Sequence, residues 1–418
     1  MKIETLFMDR HLTPCEETEY IIEKTGLEPE YVTDSRVVYD HVNAADDPIA
    51  KGKQTLYITE NHGAVIKKCP GTSHYTCCDY TILHTGTFCT MDCSYCILQA
   101  YFHPPVLQYF MGQEKIFAAL DELFAQNKTF RVGTGEFTDS LIWEKISDLP
   151  AKLVKKFAGQ KNSRQNLSIK SCSSDSSSIL KNFSILELKT KTVNIESLRN
   201  IDHNRKTVIA WSLNTPSVIK SEERDTASLN ARLKAAKRCE RWGYRLAFHF
   251  DPLVIYDGCE SDYKEVIQSI FEGVPNSEPI FNKYKADSKH EDECSRKYKN
   301  DGTTGIHPES IVWISIGTFR FMPPLKQIIE KRFPNSKIPY GEFITGLDNK
   351  MRYFKPLRIA LYQKIVSFIR EYAPDVLIYF CMEDQEVWNK SLGFFPQIEG
   401  ELGEMLDKSV TEQPPFSL

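Results

Sequence analysis

Three cysteines fall within eight residues of this chain, where the stretch GTFCTMDCSYC sets Cys89, Cys93 and Cys96 in a C-x3-C-x2-C spacing. Intervals of two and three residues let one short loop wrap its thiolates around a metal centre, and three sulfurs satisfy three irons of a 4Fe-4S cubane. The fourth iron is then open to a ligand that the protein does not supply. The alternative is structural zinc, which takes four protein ligands and would recruit His84 or His103 beside the thiolates. Tyr95, just before the third cysteine, and the place of the loop directly after a predicted strand favour the cubane.

An open iron chelates the amino and carboxylate groups of S-adenosylmethionine and passes an electron into its sulfonium, releasing a 5'-deoxyadenosyl radical. Chemistry of that kind needs a scaffold that aims polar groups at one point. From about residue 81 the chain supplies one, as short β-prone runs alternate with helical stretches, the pattern of βα units on a parallel sheet. The predicted strands are TILHTG (81–86), FRVGTG (130–135), ILELKT (185–190), TVIAWSLN (207–214), RLAFHF (245–250) and SIVWISIGTF (310–319). Between the fourth and fifth, Leu229, Leu233, Ala236 and Cys239 recur at helical spacing, with Gly243 as the stop. Six such units fit a partial barrel as well as a flat doubly wound sheet.

Strand alternation sends neighbouring side chains to opposite faces. In the fifth strand Leu246, Phe248 and Phe250 are expected to face outer helices, and Arg245, His249 and Asp251 to face inward. In the third, Leu186 and Leu188 alternate with Glu187, Lys189 and Lys191. Inward polar groups are costly unless they bind one another, water or a ligand. The second strand ends in Gly133, Thr134, Gly135 and Glu136, small residues that let a ligand approach the backbone beside a carboxylate that can pair with an ammonium; a strand-to-helix turn with a capping acid reads equally well. Ser212 and Asn214 at the end of the fourth strand either bind a ribose or carboxylate or cap the next helix.

The chain has 418 residues, 41% hydrophobic and 26% charged, with a net charge of -4 that does not mark the whole molecule as a polyanion binder. No apolar run reaches the roughly 18 to 20 residues that cross a bilayer, and the N-terminus lacks a secretory pattern, so a cytoplasmic protein with reduced thiols among its 12 cysteines and no membrane partner is expected. Residues 1–80 read as an N-terminal extension of helical patches, 81–322 as the barrel and 323–418 as a small C-terminal α/β region. The Ser-rich segment 162–179 and the charged segment 274–306 read as loops inserted in the barrel.

Taken together, these residues resemble the spore photoproduct lyase family of radical S-adenosylmethionine enzymes. The likeness rests on CTMDCSYCILQAYF, LELKTKTVNI, AWSLN, GYRLAFHFDPLVIY and ISIGTFRF, with a weaker echo in GLDNKMRYFKPLRIALYQKI. It implies a partial (β/α)6 TIM-type barrel and hydrogen abstraction from a thymine photoproduct in DNA. It also implies that Cys89, Cys93 and Cys96 bind the cluster, that Lys191 and Ser212 contact the methionine part of S-adenosylmethionine, and that Gly133, Gly135 and Glu136 grip its amino group. Tyr95 matches a hydrogen relay, with His249 and Asp251 as further catalytic candidates. An electron donor such as flavodoxin or ferredoxin follows as a partner.

Two departures stand out. The family carries a hydrogen-donating cysteine after its second strand, where RVGTGEFTDS has none, and a second tyrosine after the third cluster cysteine, where Ile97 stands. A relative with another substrate or quenching step is therefore expected. Cys239 reads as core and Cys381 as the end of an apolar strand, while Cys172 and Cys294 fall in the insertions. Cys69, Cys77 and Cys78 read either as packed thiols or as an auxiliary metal or substrate-side group. DNA is a candidate partner through NKMRYFKPLR (349–358), four cations beside two aromatics, a run that also suits a solvated helix face. The competing functions are a radical enzyme acting on a peptide or small metabolite, and a metal-binding protein without catalysis.

Overall fold

The computed structural model describes residues 2–72, 74–160, 183–274 and 305–412. The expected loop at 162–179 and nearly all of the expected insertion at 274–306, with Cys172 and Cys294, lie outside the described residues.

Eight strands form the main sheet, in the order β18-β14-β13-β11-β10-β9-β5-β4. They are β4 (Ile66–Lys68), β5 (Thr81–Leu83), β9 (Arg131–Gly133), β10 (Ile185–Thr190), β11 (Thr207–Ser212), β13 (Arg245–Leu253), β14 (Ile311–Thr318) and β18 (Leu377–Phe380). All pair in parallel except β4, which runs antiparallel to β5. The six predicted strands lie side by side in chain order and curl into a half barrel. Every residue of β11 and β14 is buried, as befits parallel strands covered on both faces. The helix Leu229–Arg241 follows its expected pattern. Ser228 caps it by accepting the Ala231 N–H, Leu233, Ala236 and Cys239 are buried, and Gly243, at φ +84°, takes the left-handed turn into β13.

Both expected boundaries fall inside sheets. Residues 1–80 carry the expected helical patches, at Glu16–Thr25, Ser35–Asn43 and Pro48–Gln54, and also β1 (Thr5–Asp9), β2 (Glu30–Val32) and β3 (Thr55–Glu60), which build a second sheet in the order β2-β1-β3-β8-β6. It takes β6 (Gly86–Thr87) and β8 (Leu107–Met111) from beyond residue 81. Runs of three to six residues carry too few periods to separate strand from helix by sequence. Likewise β18, from the region expected to begin at 323, pairs in parallel with β14 and extends the barrel by a seventh parallel strand. Two small sheets complete the fold: β7 (Asp92–Cys93) with β12 (Glu223–Arg224), and β15 (Arg320–Phe321), β17 (Met351–Tyr353) and β16 (Phe343–Thr345). Among the described residues no helix is long and apolar enough to cross a membrane.

Candidate metal centre and barrel cavity

The chain leaves the barrel sheet at β5 and enters the N-terminal sheet at β6 before it forms the thiol loop, so the loop sits where the two sheets meet. Phe88, just before Cys89, has a φ of +70°, rare for a bulky residue, and its N–H donates to the Phe137 carbonyl at 2.8 Å. Cys93 belongs to β7 and pairs with Glu223 of β12, while Cys96 lies just ahead of the helix Leu98–Tyr101. Distant side chains fix the loop's carbonyls. The fully buried Lys53 ammonium donates to those of Cys89 (3.0 Å) and Met91 (2.5 Å). The Gln99 amide donates to those of Cys93 (2.9 Å) and Ser94 (3.0 Å). Arg332 grips Asp92 through bonds of 3.0 and 3.1 Å and also donates to Gln99.

Burial governs the thiols of this loop. Burial pushes the Cys89 thiol up to about 12 and the Cys93 thiol well above its usual range, and each feels the charge of its neighbours. Such desolvated sulfurs become thiolates where metal charge joins them. Among the described residues, no three His, Cys, Asp or Glu side chains converge on a point that would hold one metal ion. Among the described residues, neither His84 nor His103 forms a metal-holding group with the thiols. His84 Nδ1 lies 3.1 Å from the Lys67 ammonium with its ring between Phe110 and Phe137, and His103 Nε2 lies 3.2 Å from the Ala100 carbonyl.

Around Cys93 the barrel assembles a charged group. The Tyr95 hydroxyl donates to Glu223, which Arg232 holds at 2.6 Å. Burial works against the Glu223 charge, yet Arg232, Lys191 and the Tyr95 hydroxyl outweigh it and keep the carboxyl below its ordinary value. Arg232 also donates to the Ser212 carbonyl at 2.8 Å, and the Lys191 ammonium lies 5.8 Å from the Tyr95 ring centre. Tyr95, Lys191 and Ser212, far apart in sequence, thus gather beside the thiol loop. Asn214 does not join them. It donates to the Pro252 carbonyl and accepts from the Tyr263 hydroxyl and the Thr215 N–H, so it ties strand ends together, and Thr215 caps the following helix.

A cavity of about 360 Å³ opens inside the barrel, lined among others by Glu136, Glu187, Lys189, His249 and Asp251. His249 and Asp251 do not satisfy each other. His249 Nε2 meets Glu187 at 2.9 Å, whose other oxygen meets Arg131 at 2.8 Å, and Asp251 faces Arg320 at 3.5 Å. Burial opposes the Lys189 charge, but Glu136, Glu187 and Asp251 raise its proton affinity above the ordinary value. Cys69, Cys78 and Cys381 line the same cavity, and burial pushes the Cys381 thiol up to about 12. Cys77 lies within hydrogen-bonding reach of Cys69 and Cys78.

The surroundings of two further stretches are defined by the fold. A side chain at Gly133 would lie 1.9 Å from the Tyr80 hydroxyl oxygen, and one at Gly135 3.0 Å from Lys189 Cβ, so the chain's own side chains occupy the room these glycines leave. Glu136 alone of that turn faces the cavity as a polar ligand. The basic stretch 349–358 is no open phosphate patch either. Arg352 pairs with Asp348 (2.6 Å), Arg358 with Glu383 (3.1 Å) and Lys355 with Asp384 and Glu386 (3.0 Å each), while Lys350 turns into the cavity. Sequence reading also missed Lys53, Glu223, Arg232 and Arg332, which stand in polar runs with no motif to mark them.

The fold, a parallel half barrel with a three-cysteine loop after its first strand, matches that of solved spore photoproduct lyases. A sequence model described as spore photoproduct lyase matches residues 177–280. The spore photoproduct lyase of Bacillus subtilis is 25% identical over 204 residues, covering 47% of this chain and 50% of that protein, so the chain spans half of this relative's length in the match. That of Clostridium acetobutylicum is 22% identical over 337 residues, 80% of each chain. A solved spore photoproduct lyase mutant with bound AdoMet and dinucleoside spore photoproduct superimposes with a TM-score of 0.68 at 18% identity, covering 90% of this chain and 98% of that one. The chain is spore photoproduct lyase-like.

Proposed function

We propose that the chain is a cytoplasmic radical S-adenosylmethionine lyase of the spore photoproduct type, holding a 4Fe-4S cluster through Cys89, Cys93 and Cys96 and acting on damaged DNA. The observation that carries this reading is a braced loop of three thiols, Cys89 and Cys93 buried and Cys96 half-buried, on a half barrel with a charged cavity. The solved relative with AdoMet and dinucleoside spore photoproduct supports the cofactor and substrate class. When bound, the cluster and S-adenosylmethionine supply a carbon radical that abstracts hydrogen.

The chain's residues bind, orient and exclude water. Lys191 and Ser212, beside Tyr95, are assigned to the carboxylate end of the cofactor and Glu136 to its ammonium. Tyr95 is tied to Glu223 and so holds its hydroxyl in one direction. His249, whose proton affinity burial lowers, and Asp251 present polar groups to the substrate. Because the turn after β9 carries no cysteine, we assign the quenching hydrogen to Cys381: its S–H bond breaks and a C–H bond forms on the product, leaving the sulfur as the radical. A flavodoxin or ferredoxin is the electron source in this reading.

Anaerobic incubation of the reconstituted protein with dithionite, S-adenosylmethionine and ultraviolet-irradiated DNA tests the proposal. Release of 5'-deoxyadenosine and restored thymidine are expected. Absence of 5'-deoxyadenosine with an intact cluster refutes the enzyme reading. The ion pairing of Arg352, Lys355 and Arg358 favours a second reading, a radical enzyme for a peptide or small metabolite. Cofactor cleavage without binding to damaged duplex at any salt concentration would select it.

A further inference from the structure

Lys53 is a completely buried cation whose charge is only partly answered. Its contacts are two neutral carbonyls, the Phe88 ring at 4.3 Å and Asp92 at 3.9 Å. Asp92 is shared with Arg332, at 3.0 and 3.1 Å, and Arg332 also holds Asp47 at 2.8 Å. With its nearest acid 3.9 Å away, a buried ammonium interacts strongly with any negative charge added beside it. Lys53 also comes from the helix Pro48–Gln54, outside the barrel, and reaches 36 and 38 residues along the chain to the carbonyls that flank the first thiol's turn. Within that turn the Met91 N–H points at the Cys89 sulfur, 3.5 Å away. The other charges near the thiols are balanced locally, Lys191 and Arg232 against Glu223 and Asp139.

We infer that Lys53 is a positioning residue of the metal centre: it holds the Cys89 to Met91 turn, and its fixed charge favours one-electron reduction of the cluster. The inference rests on the cluster proposed above. Three thiolates give the filled site a net negative charge, and an electron delivered by an external reductant makes it more negative by one, with no bond made or broken. A buried cation at the loop stabilises the reduced form more than the oxidised one, by Coulomb's law in a medium of low polarity. Without it, reduction requires a stronger reductant.

The test is a mediated redox titration, followed by electron paramagnetic resonance, of the anaerobically reconstituted full chain, together with iron and sulfide per chain. Lys53→Gln keeps a donor but no charge. It is expected to load iron normally and, at the wild-type midpoint, to show a reduced-to-oxidised ratio lower by on the order of tenfold. Lys53→Met also loses the donor, and is expected to add a loss of iron content. Asp92→Asn removes a nearby negative charge and is expected to move the midpoint the opposite way. A wild-type midpoint in Lys53→Gln overturns the electrostatic role, and full loading of Lys53→Met overturns the positioning role. Should neither Lys53 variant fold, an unchanged or more negative midpoint in Asp92→Asn overturns the inference. Failure of the wild-type chain to build a cubane overturns it together with the proposed function, whereas unchanged midpoints in a chain that cleaves S-adenosylmethionine overturn it alone.

Discussion

Replacing Glu187 with Gln tests the charge arrangement at the heart of the barrel. Glu187 is 1% exposed, with Arg131 at 2.8 Å on one oxygen and His249 at 2.9 Å on the other. Burial alone favours the neutral acid, but the His249 hydrogen bond and the Arg131 charge hold the carboxyl at about 2, against an ordinary 4.5. At 1.36 kcal/mol per pH unit this difference is worth about 3 kcal/mol. Breaking a buried pair by removing one partner costs a similar amount, about 3 to 5 kcal/mol. Because the folded value is the lower one, the contribution is complete above about pH 4.5 and is lost as the pH falls through about 2. His249, whose proton affinity burial lowers, adds a loss of stability in the same acidic direction, since the unfolded chain takes up the proton first. Urea denaturation of the metal-free protein, followed by circular dichroism from pH 7 to pH 2.5, is the assay. Glu187→Gln is expected to be less stable than wild type by about 3 kcal/mol at pH 7, the gap closing toward pH 2.5. A neutral-pH gap under about 1 kcal/mol, or one that stays constant across the series, refutes the reasoning.

Replacing Cys93 with Ala is expected to abolish both the brown chromophore and cofactor cleavage; retention of both removes that residue from the centre. Cys381→Ala is expected to leave iron content and 5'-deoxyadenosine release intact while at least about tenfold less repaired product appears, read by chromatography of digested DNA; an unchanged product yield excludes that thiol as donor. Gly133→Ala forces a methyl against the Tyr80 hydroxyl at 1.9 Å and the Glu187 carbonyl at 2.6 Å, and is expected to destabilise the chain by about 1 to 3 kcal/mol in the same denaturation assay.

The barrel was legible because its strands are β-prone runs bounded by turns, and all six recur in the structure at or near their expected limits. The thiol motif was legible because ligand spacing is local. What sequence hid was everything made by long-range pairing. Lys53 and Arg332 sit in ordinary polar helices, and only the fold brings them to the loop from 38 and 240 residues away. Glu223 reads as part of a polar turn, SEERDT, yet lies buried beneath Tyr95. The basic run at 349–358 misled for the mirror reason. Its cations looked free because their acids, Glu383, Asp384 and Glu386, stand some thirty residues on, or, in Asp348, just outside the run. Short strands in the first 80 residues escaped because length, rather than composition, decides between helix and strand there.

The braces on the thiol loop have a temporal meaning. A nascent chain displays Cys89, Cys93 and Cys96 long before residues 223 and 332 have been made, and until then neither the partner strand β12 nor the Arg332 clamp exists. A fragment emerging from the ribosome therefore carries the three thiols on a loop without these braces, and the longer polypeptide adds them. A chain cut short before residue 332 therefore lacks the clamp that steadies the thiol loop.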